Sequence, residues 1–420
     1  MTKTILLFAA ANLLAETPTF TKDVAPILQR NCQACHRPGE AAPFSLLTYE
    51  QARPWAKAIK AAVLQKKMPP WYADPQFGKF ANDPSLSPHD AETIMAWVDA
   101  GAPLGDPKQM PPPRDFVQGW SIPKPDVVFQ LPEPFPVPAT GVMEYKYVII
   151  PTGFTQDTWV EQVQAAPTDY SVVHHIVAYV RTPGSNYFKD QPKNRFFEAP
   201  PSKTEGAKDD VPNDWLTGYA PGQPPDRFKP GQAKLIPAGS DIVLEIHYMP
   251  EGKATTDRSR LGLVLAKHPP TERTMTLSAA NMSFKIPPGA ANYRVDASLT
   301  IPEDVTLLGL HPHMHMRGKS AEYRIVFPGG KTETLLSVPR YNWRWQLWYD
   351  FTDPIKLPKG AKLECTEHFD NSANNPENPD AAKTVIWGQQ SFDEMAVCMF
   401  NVAFDAKITT QQMLAPDKRK

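Results

Sequence analysis

Residues 171–180 read SVVHHIVAYV, and this stretch sets the pattern for most of the chain. β-Branched and aromatic residues favour strands. Short apolar runs of this kind, separated by proline and glycine, recur along the sequence at 145–150, 172–180, 241–248, 306–310, 321–326 and 396–404. About 280 residues of such sequence exceed a usual single sandwich of about 100 residues. Two all-β, jelly-roll-like sandwiches are therefore predicted, over 141–266 and 267–420.

The remaining segments differ in composition. Residues 16–108 show helical periodicity, because the apolar residues between 20 and 28 fall on one face, and they predict a small all-α domain. Residues 109–140 are rich in proline and predict a semi-rigid spacer. A polar, proline-rich stretch over 182–237 predicts a long ordered insertion in the first sandwich. The chain is therefore predicted to be multidomain.

Local signals within the all-α domain predict where its later helices begin and end. Thr48 begins the second helix, which is expected to bury Trp55 and to be distorted by Pro54. Ser87 is the expected N-cap of the third helix, and Gly101 is expected to close it.

The overall composition narrows the class of protein. The chain has 44 Lys and Arg against 45 Asp and Glu, and this balance argues against nucleic-acid binding. An apolar run after Lys3 resembles a short secretory signal, so residues 1–15 are predicted to be a signal peptide; a buried first helix is the alternative. No run approaches the roughly 20 apolar residues of a transmembrane helix. An exported protein, periplasmic or extracellular, without a membrane span is expected.

A haem-attachment motif lies in the helical domain, at Cys32-Gln33-Ala34-Cys35-His36. In a C-x-x-C-H motif the two thiols attach the haem covalently and the histidine binds its iron, so Cys32, Cys35 and His36 are predicted to hold a c-type haem. A redox-active or zinc-binding C-x-x-C pair is the alternative. It would need a βαβ context or a second pair of ligands nearby.

Met68 is the predicted second axial ligand of the haem iron, because Pro69 and Pro70 stiffen its loop. Met95 and Met110 are the alternatives. A methionine ligand raises the haem potential and is typical of an electron carrier. The helical domain resembles class I cytochrome c over its whole length.

Five of the ten histidines fall into three clusters within the strand-rich region. His174 and His175 lie in the run quoted first, His247 lies in DIVLEIHYMP, and His313 and His315 lie in LLGLHPHMHMRGK. Side chains at positions i and i+2 of a strand share a face, so His313 and His315 can bind one metal ion. Adjacent His174 and His175 can do so only where the strand twists or carries a bulge, or by using different ring nitrogens. On this geometry alone, each cluster can be either a metal site or a set of ordinary polar residues.

The order of the motifs resembles that of the copper type II, ascorbate-dependent monooxygenases, which include peptidylglycine hydroxylating and dopamine β-monooxygenases. The shared features are paired histidines, a strand-borne His-Tyr, His-x-His-x-x-Gly-Lys and Asp-Glu-Met, over residues 141–408. The resemblance implies two copper sites, one on each sandwich. The electron-transfer copper would be bound by His174, His175 and His247, and the oxygen-binding, catalytic copper by His313, His315 and Met395.

The ligand types suit this assignment. Imidazole binds both copper oxidation states, and the thioether of Met395 favours Cu(I), the state that must bind O2. Core packing is the commoner role of methionine and is the alternative for Met395. Cys365 and Cys398 are predicted to form a disulfide in an exported protein, with free buried cysteines as the alternative.

The chain departs from the peptide-amidating members of that family at three positions. His311 stands where those enzymes carry an arginine, and Val397 and Met399 replace their asparagine and tyrosine. The side chains that bind a peptide carboxylate are therefore missing. His311 shares a strand face with the other two histidines of its motif, so it is expected to face either the metal or the substrate.

The resemblance implies an enzyme that inserts one atom of O2 into a C–H bond of a small organic substrate. The electrons would come from an external donor, either a redox protein or an ascorbate-like reductant, with the haem domain as a further donor. The rival hypothesis is a non-catalytic haem and copper protein that transfers electrons or binds copper.

Overall fold

The computed structural model describes residues 16–117, 119–199 and 214–414. The chain forms two compact units. The first unit contains the described residues up to 37, together with 44–69 and 85–115, and all other described residues belong to the second. The predicted signal peptide, residues 1–15, lies outside the described residues.

The first unit does not coincide with the predicted helical domain, 16–108, since residues 38–43 belong to the second unit and the first unit continues to residue 115. Residues 70–84 belong to the second unit, where Trp71 and Phe80 pack on the apolar core that includes Tyr349 and Phe351. Large aromatic side chains contribute much buried apolar area. The helical pattern on either side of this segment does not reveal where its own side chains pack.

Helices account for most of the first unit. They are α1 (Ala25–Asn31), α2 (Tyr49–Ala52), α3 (Ala56–Leu64) and α4 (Pro88–Asp99), with a π-helical turn at Phe20–Val24 and 3-10 turns at Arg53–Trp55 and Pro107–Gln109. Phe20, Leu28 and Trp97 are fully buried in their common core. As predicted, Thr48 caps α2, and it does so in a capping box with Gln51; Ser87 caps α4.

Trp55 does not lie on the buried face on which the helical spacing places it. The chain passes through a 3-10 turn at Arg53–Trp55, with Pro54 in its first turn, so the rotation per residue differs from that of an α-helix. The Trp55 side chain is 43% exposed and stacks on Phe44, with 4.3 Å between ring centroids.

The described part of the second unit consists mainly of strands, with one short helix, α5 (Thr410–Leu414). The strands are β1 (Val127–Gln130), β2 (Phe135–Val137), β3 (Lys146–Pro151), β4 (Thr158–Ala166), β5 (Val173–Arg181), β6 (Phe196–Phe197), β7 (Asp214–Tyr219), β8 (Asp226–Arg227), β9 (Gln232–Ile236), β10 (Asp241–Tyr248), β11 (Thr255–Asp257), β12 (Arg260–Leu265), β13 (Glu272–Ala280), β14 (Lys285–Ile286), β15 (Tyr293–Thr300), β16 (Val305–His313), β17 (Gly318–Val326), β18 (Thr332–Val338), β19 (Tyr349–Leu357), β20 (Lys362–Phe369), β21 (Val385–Ile386) and β22 (Val397–Asp405).

These strands build two β-sandwiches, each with its own apolar core. In the first, β6-β3-β10-β5-β7 face β1-β12-β4-β9, and Val148, Ile176 and Leu261 lie between the sheets. In the second, β15-β20-β17-β18 face β13-β22-β16-β19, and Leu307 and Phe400 lie in the core. The β-sandwich architecture predicted for this region is therefore present.

One strand pair joins the sandwiches. β9 and β13 run parallel, with Gln232 opposite Glu272 and Ala233 opposite Arg273, so that one sheet continues from the first sandwich into the second. Because hydrogen-bonded strands cannot rotate freely about each other, this pair fixes the orientation of one sandwich relative to the other.

The predictions for the spacer and the insertion are wrong in part. The predicted spacer, 109–140, contains β1 and β2, which pair with β12 and β11. The predicted insertion, 182–237, contains β7, which pairs with β5, and β9, which pairs with β4 and β13. Prolines lie close to β1 and within β2, and they make this segment look like a spacer although strands at a sheet edge tolerate proline. The partner strands also lie far away in sequence.

The predicted disulfide between Cys365 and Cys398 is present. Cys365 lies in β20 and Cys398 in β22, which belong to opposite sheets of the second sandwich, so the bond crosses the core. Cys398 follows Met395 by three residues. The cross-link therefore restrains the segment that carries the predicted methionine ligand.

A buried carboxylate braces the first sandwich beside His247. Asp257 is fully buried and accepts hydrogen bonds from the hydroxyls of Thr168, Tyr248 and Ser259.

We expect Asp257→Ala to lower the free energy of unfolding by about 3 kcal/mol, because it leaves buried donors without an acceptor. Denaturant unfolding measures the change, with exposed Asp353→Ala as control. Equal stability of the two variants, within about 0.5 kcal/mol, would contradict this bracing role.

Among the described residues, no helix combines the length and the apolar character needed to cross a bilayer.

Candidate metal centres

Three histidines converge on the first sandwich, on neighbouring strands β5 and β10. His247 pairs with His175, but the next residue of β10, Tyr248, pairs with Val173. His174 is thus the extra residue of a β-bulge, which re-aims its side chain. The bulge is the condition under which adjacent His174 and His175 were predicted to share a site.

The three side chains bring their donor atoms into one small volume. One ring nitrogen from each of His174, His175 and His247 lies within 4.8 Å of the other two. The Nδ1 atoms of His174 and His175 are 3.0 Å apart. The ring centroids are 5.1–5.3 Å apart, and the rings are steeply inclined to one another. A single small ion at the centre could contact all three rings.

Burial keeps these imidazoles neutral. It lowers the pKa of His174 to about 4 and that of His247 to about 3. Burial, with a smaller contribution from the neighbouring histidines, also lowers the pKa of His175 well below its usual value. His174 Nε2 and His247 Nδ1 are buried without a hydrogen-bond partner in the described part of the chain. Neutral rings with free nitrogens are the form of histidine that binds metals.

Two further side chains surround this cluster. The buried Glu245 carboxylate lies 4.0 Å from His175 Nε2 and accepts a hydrogen bond from the Tyr179 hydroxyl. The Tyr145 ring packs against the rings of His175 and His247, with centroids 5.3 and 4.6 Å away. Such neighbours orient metal-binding imidazoles.

A second histidine pair lies at the end of β16 in the second sandwich. The rings of His313 and His315 are 5.3 Å apart between centroids and nearly perpendicular. His315 is 1% exposed, and neither of its ring nitrogens has a hydrogen-bond partner among the described residues. Burial lowers the pKa of His313 to about 4 and that of His315 well below its usual value. Both rings are therefore neutral.

Met395 lies in the segment that precedes β22, two residues before Val397. In the antiparallel pairing of β16 with β22, His313 is opposite Val397, and the pairing ends at these two residues. Contact of the Met395 sulfur with the two histidines stays a prediction. The preceding residue, Glu394, accepts hydrogen bonds from the backbone N–H groups of His315 and Arg317, at 2.9 and 2.6 Å.

Glu394 is the fully buried carboxylate that ties the Met395 segment to the histidine motif. Burial raises its pKa to about 8, while the Arg317 N–H bond opposes that rise.

We expect Glu394→Ala to weaken Cu(I) binding at this site by about 10- to 100-fold, because the ligands lose their relative positions. Competition with a chromophoric Cu(I) chelator measures the affinity. Half-exposed Glu364→Ala is the control, and equal affinities in the two variants would refute the positioning role.

The two centres interact electrostatically. The pKa of His175 is lowered by His313 and His315 as well as by its own partners, after the larger effect of burial. The His174 ring also lies 6.0 Å from Trp343, which precedes β19 of the second sandwich. The two histidine groups therefore lie within electrostatic range of each other, on different sandwiches.

The residues of the haem motif lie in the first unit, directly after α1. Neither Cys32 nor Cys35 forms a disulfide, and the backbone N–H groups of Cys35 and His36 both donate to the Cys32 carbonyl. His36 Nδ1 lies 3.2 Å from the Phe44 carbonyl oxygen, and burial raises the pKa of Cys32 to about 12. Because a carbonyl only accepts, Nδ1 carries the proton and Nε2 keeps its lone pair.

Met68 lies after α3, in the same unit, where its backbone N–H donates to Ala62. Met95 lies within α4, and Met110 follows the turn at Pro107–Gln109. Which of these methionines is the second iron ligand stays a prediction.

Sequence reasoning missed several residues around the two histidine groups. Glu245 could have been found, because it lies two residues before His247 and so shares its strand face. Glu394 belongs to the quoted Asp-Glu-Met motif, but nothing in that motif indicates that its carboxylate binds the backbone of His315. Tyr145 and Trp343 carry no sequence signal that would link them to the histidines.

No family model matches this chain, and no curated protein matches it. Among solved structures, the chain is similar to a structure of the infectious bursal disease virus Gt strain, with 11% identity and a TM-score of 0.18 over 70% of this chain and 77% of that one. It is also similar to the major capsid protein P2 from bacteriophage PM2, with 10% identity and a TM-score of 0.23 over 66% of this chain and 98% of that one. Similarity at this level carries no inference about function.

Proposed function

We propose that this chain is an exported, copper-dependent monooxygenase that hydroxylates a C–H bond of a small organic molecule with O2. The observation that carries the proposal is the convergence of His174, His175 and His247 within 4.8 Å, in a buried and neutral cluster. Three imidazoles alone suit zinc as well as copper. The thioether of Met395, which we propose as a ligand of the second group, favours copper.

Each sandwich carries three side chains whose donor atoms suit copper. His174, His175 and His247 would hold one copper ion, and His313, His315 and Met395 would hold the other. Free nitrogens on His174, His247, His313 and His315 lack partners in the described residues, which is the state expected of ligands. When bound, copper would supply the one-electron chemistry and the O2 reduction that hydroxylation requires.

The protein's own contribution is positioning and exclusion of water. The bulge at His174 and the Glu394 hydrogen bonds orient the ligands before any ion binds. The burial of His175, His247 and His315 keeps bulk water from these rings. A dry and rigid site lowers the reorganisation that accompanies electron transfer and protects reactive oxygen species from side reactions.

Cys32, Cys35 and His36 would attach a c-type haem, with Met68 as the second axial ligand. The spacing of the two cysteines directly before His36 and the unprotonated Nε2 of His36 support this part of the proposal. A haem of this kind would carry electrons toward the copper sites from an external reductant.

Oxygen uptake by the full-length, copper-loaded and reduced protein tests the proposal. A panel of small hydroxylatable compounds is offered, and a His313→Ala variant provides the background rate. Uptake above that background, matched by one hydroxylated product per O2, supports the monooxygenase. Uptake no faster than the variant, in a protein that binds copper, would refute the enzyme and favour a copper-binding or electron-transfer protein.

A further inference from the structure

His311 is a buried histidine that neither proposed copper site uses. It lies in β16 and is 2% exposed. Its Nδ1 lies 3.1 Å from the carbonyl oxygen of Leu347. Since that oxygen only accepts, Nδ1 carries the proton, and Nε2 is left as a hydrogen-bond acceptor. Nε2 is buried and has no partner in the described part of the chain.

The geometry argues against His311 as a third histidine ligand of the second centre. The donor atoms of His174, His175 and His247 form a compact three-residue group, but among the described residues His311, His313 and His315 do not. The rings of His311 and His313 are 6.2 Å apart and nearly parallel, unlike the steeply inclined rings of the first centre. The free nitrogen of His311 therefore needs another partner.

Two indole rings flank His311. Trp348 stacks on it, with centroids 4.8 Å apart and planes inclined by 26°. Trp215, from β7 of the first sandwich, lies 5.8 Å away. A group that reaches Nε2 would approach among aromatic surfaces and would need to donate a hydrogen bond. A carboxylate cannot donate, and its charge would be poorly solvated there.

We infer that His311 selects the substrate by accepting a hydrogen bond from the hydroxyl or N–H group of a small, uncharged, aromatic molecule. The inference rests on the proposed function, for which it names the substrate class. His311 acts next to the oxygen-binding centre because it lies two residues before His313 on the same strand face. The absence of an arginine at this position agrees with an uncharged substrate.

The test compares two uncharged probes that differ in the donating hydrogen, 2-phenylethanol and its methyl ether. Their dissociation constants are measured by calorimetry on the reduced, copper-loaded, full-length protein without O2. We expect the alcohol to bind at least about 10-fold more tightly than the ether. His311→Phe, which keeps a ring beside Trp348, should abolish that preference, and His311→Gln, which restores an acceptor, should recover part of it.

His368→Phe is the matched control, because His368 is half-exposed on β20 and should keep the wild-type preference. Equal binding of both probes, binding of neither, or an unchanged preference in His311→Phe would overturn the inference. Copper content and O2 uptake, recorded on the same samples, separate this failure from failure of the proposed function. A wild-type protein that takes up O2 but lacks the preference would refute only the role of His311.

Discussion

Replacing His313 by alanine is expected to lower O2 uptake by at least about 100-fold, the largest effect of any single change in the sandwiches. Alanine offers no donor atom in place of the His313 imidazole, and His315 with Met395 alone makes a poor site for the ion. The copper content of the purified, reconstituted protein should fall from about two ions per chain to about one. Oxygen electrode traces and metal analysis of the same sample measure both effects.

The control for this variant is His268→Ala. His268 is exposed and lies in the connection between the two sandwiches. It should keep the wild-type copper content and O2 uptake, which excludes a general effect of losing one histidine. If His313→Ala kept full copper content and activity, the second centre as assigned would not exist.

The second large effect is expected in the first unit. The double variant Cys32→Ser, Cys35→Ser should contain no covalently attached haem when expressed with haem-attachment machinery, because both thioether bonds need a cysteine sulfur. Haem staining of denaturing gels and the pyridine haemochrome spectrum measure attachment. Because the proposed haem would form part of the core of the first unit, the variant is also expected to lose much of the helical circular dichroism of this unit.

The variant Cys365→Ser, Cys398→Ser is the matched control for this experiment. It removes the other two cysteines, which form the disulfide of the second sandwich, and should retain covalent haem. Haem that resists denaturation in the Cys32→Ser, Cys35→Ser protein, or its absence from the wild-type protein, would contradict attachment at this motif.

Much of the β-rich region follows from local sequence. The apolar runs at 172–180, 241–248 and 396–404 coincide, within a residue or two, with β5, β10 and β22. Alternation and β-branched residues define such strands without reference to their partners. The sharing of one site by His174 and His175 was conditional on a bulge, and the bulge depends on the pairing of β5 with β10. Sequence patterns do not determine such pairings.

The parts that sequence reasoning missed depend on contacts between distant residues. β7 and β9 look like insertion because the stretch around them is polar and rich in proline, yet their backbones complete two sheets. Residues 70–84 lie between helical segments but pack on the second sandwich, since Trp71 and Phe80 bury their rings against Tyr349. The Glu394 carboxylate meets the backbone of His315 from 79 residues away. Tertiary packing decides all three cases.

Copper K-edge X-ray absorption of the reduced, full-length protein shows directly whether the six side chains bind two copper ions. We expect about two copper ions per chain, bound by imidazole nitrogens, with one sulfur neighbour on one of them. The sulfur contribution should disappear in Met395→Leu while the nitrogen contribution remains. Fewer than one copper ion per chain, or a copper environment without imidazole and sulfur, would contradict the assignment of these six side chains.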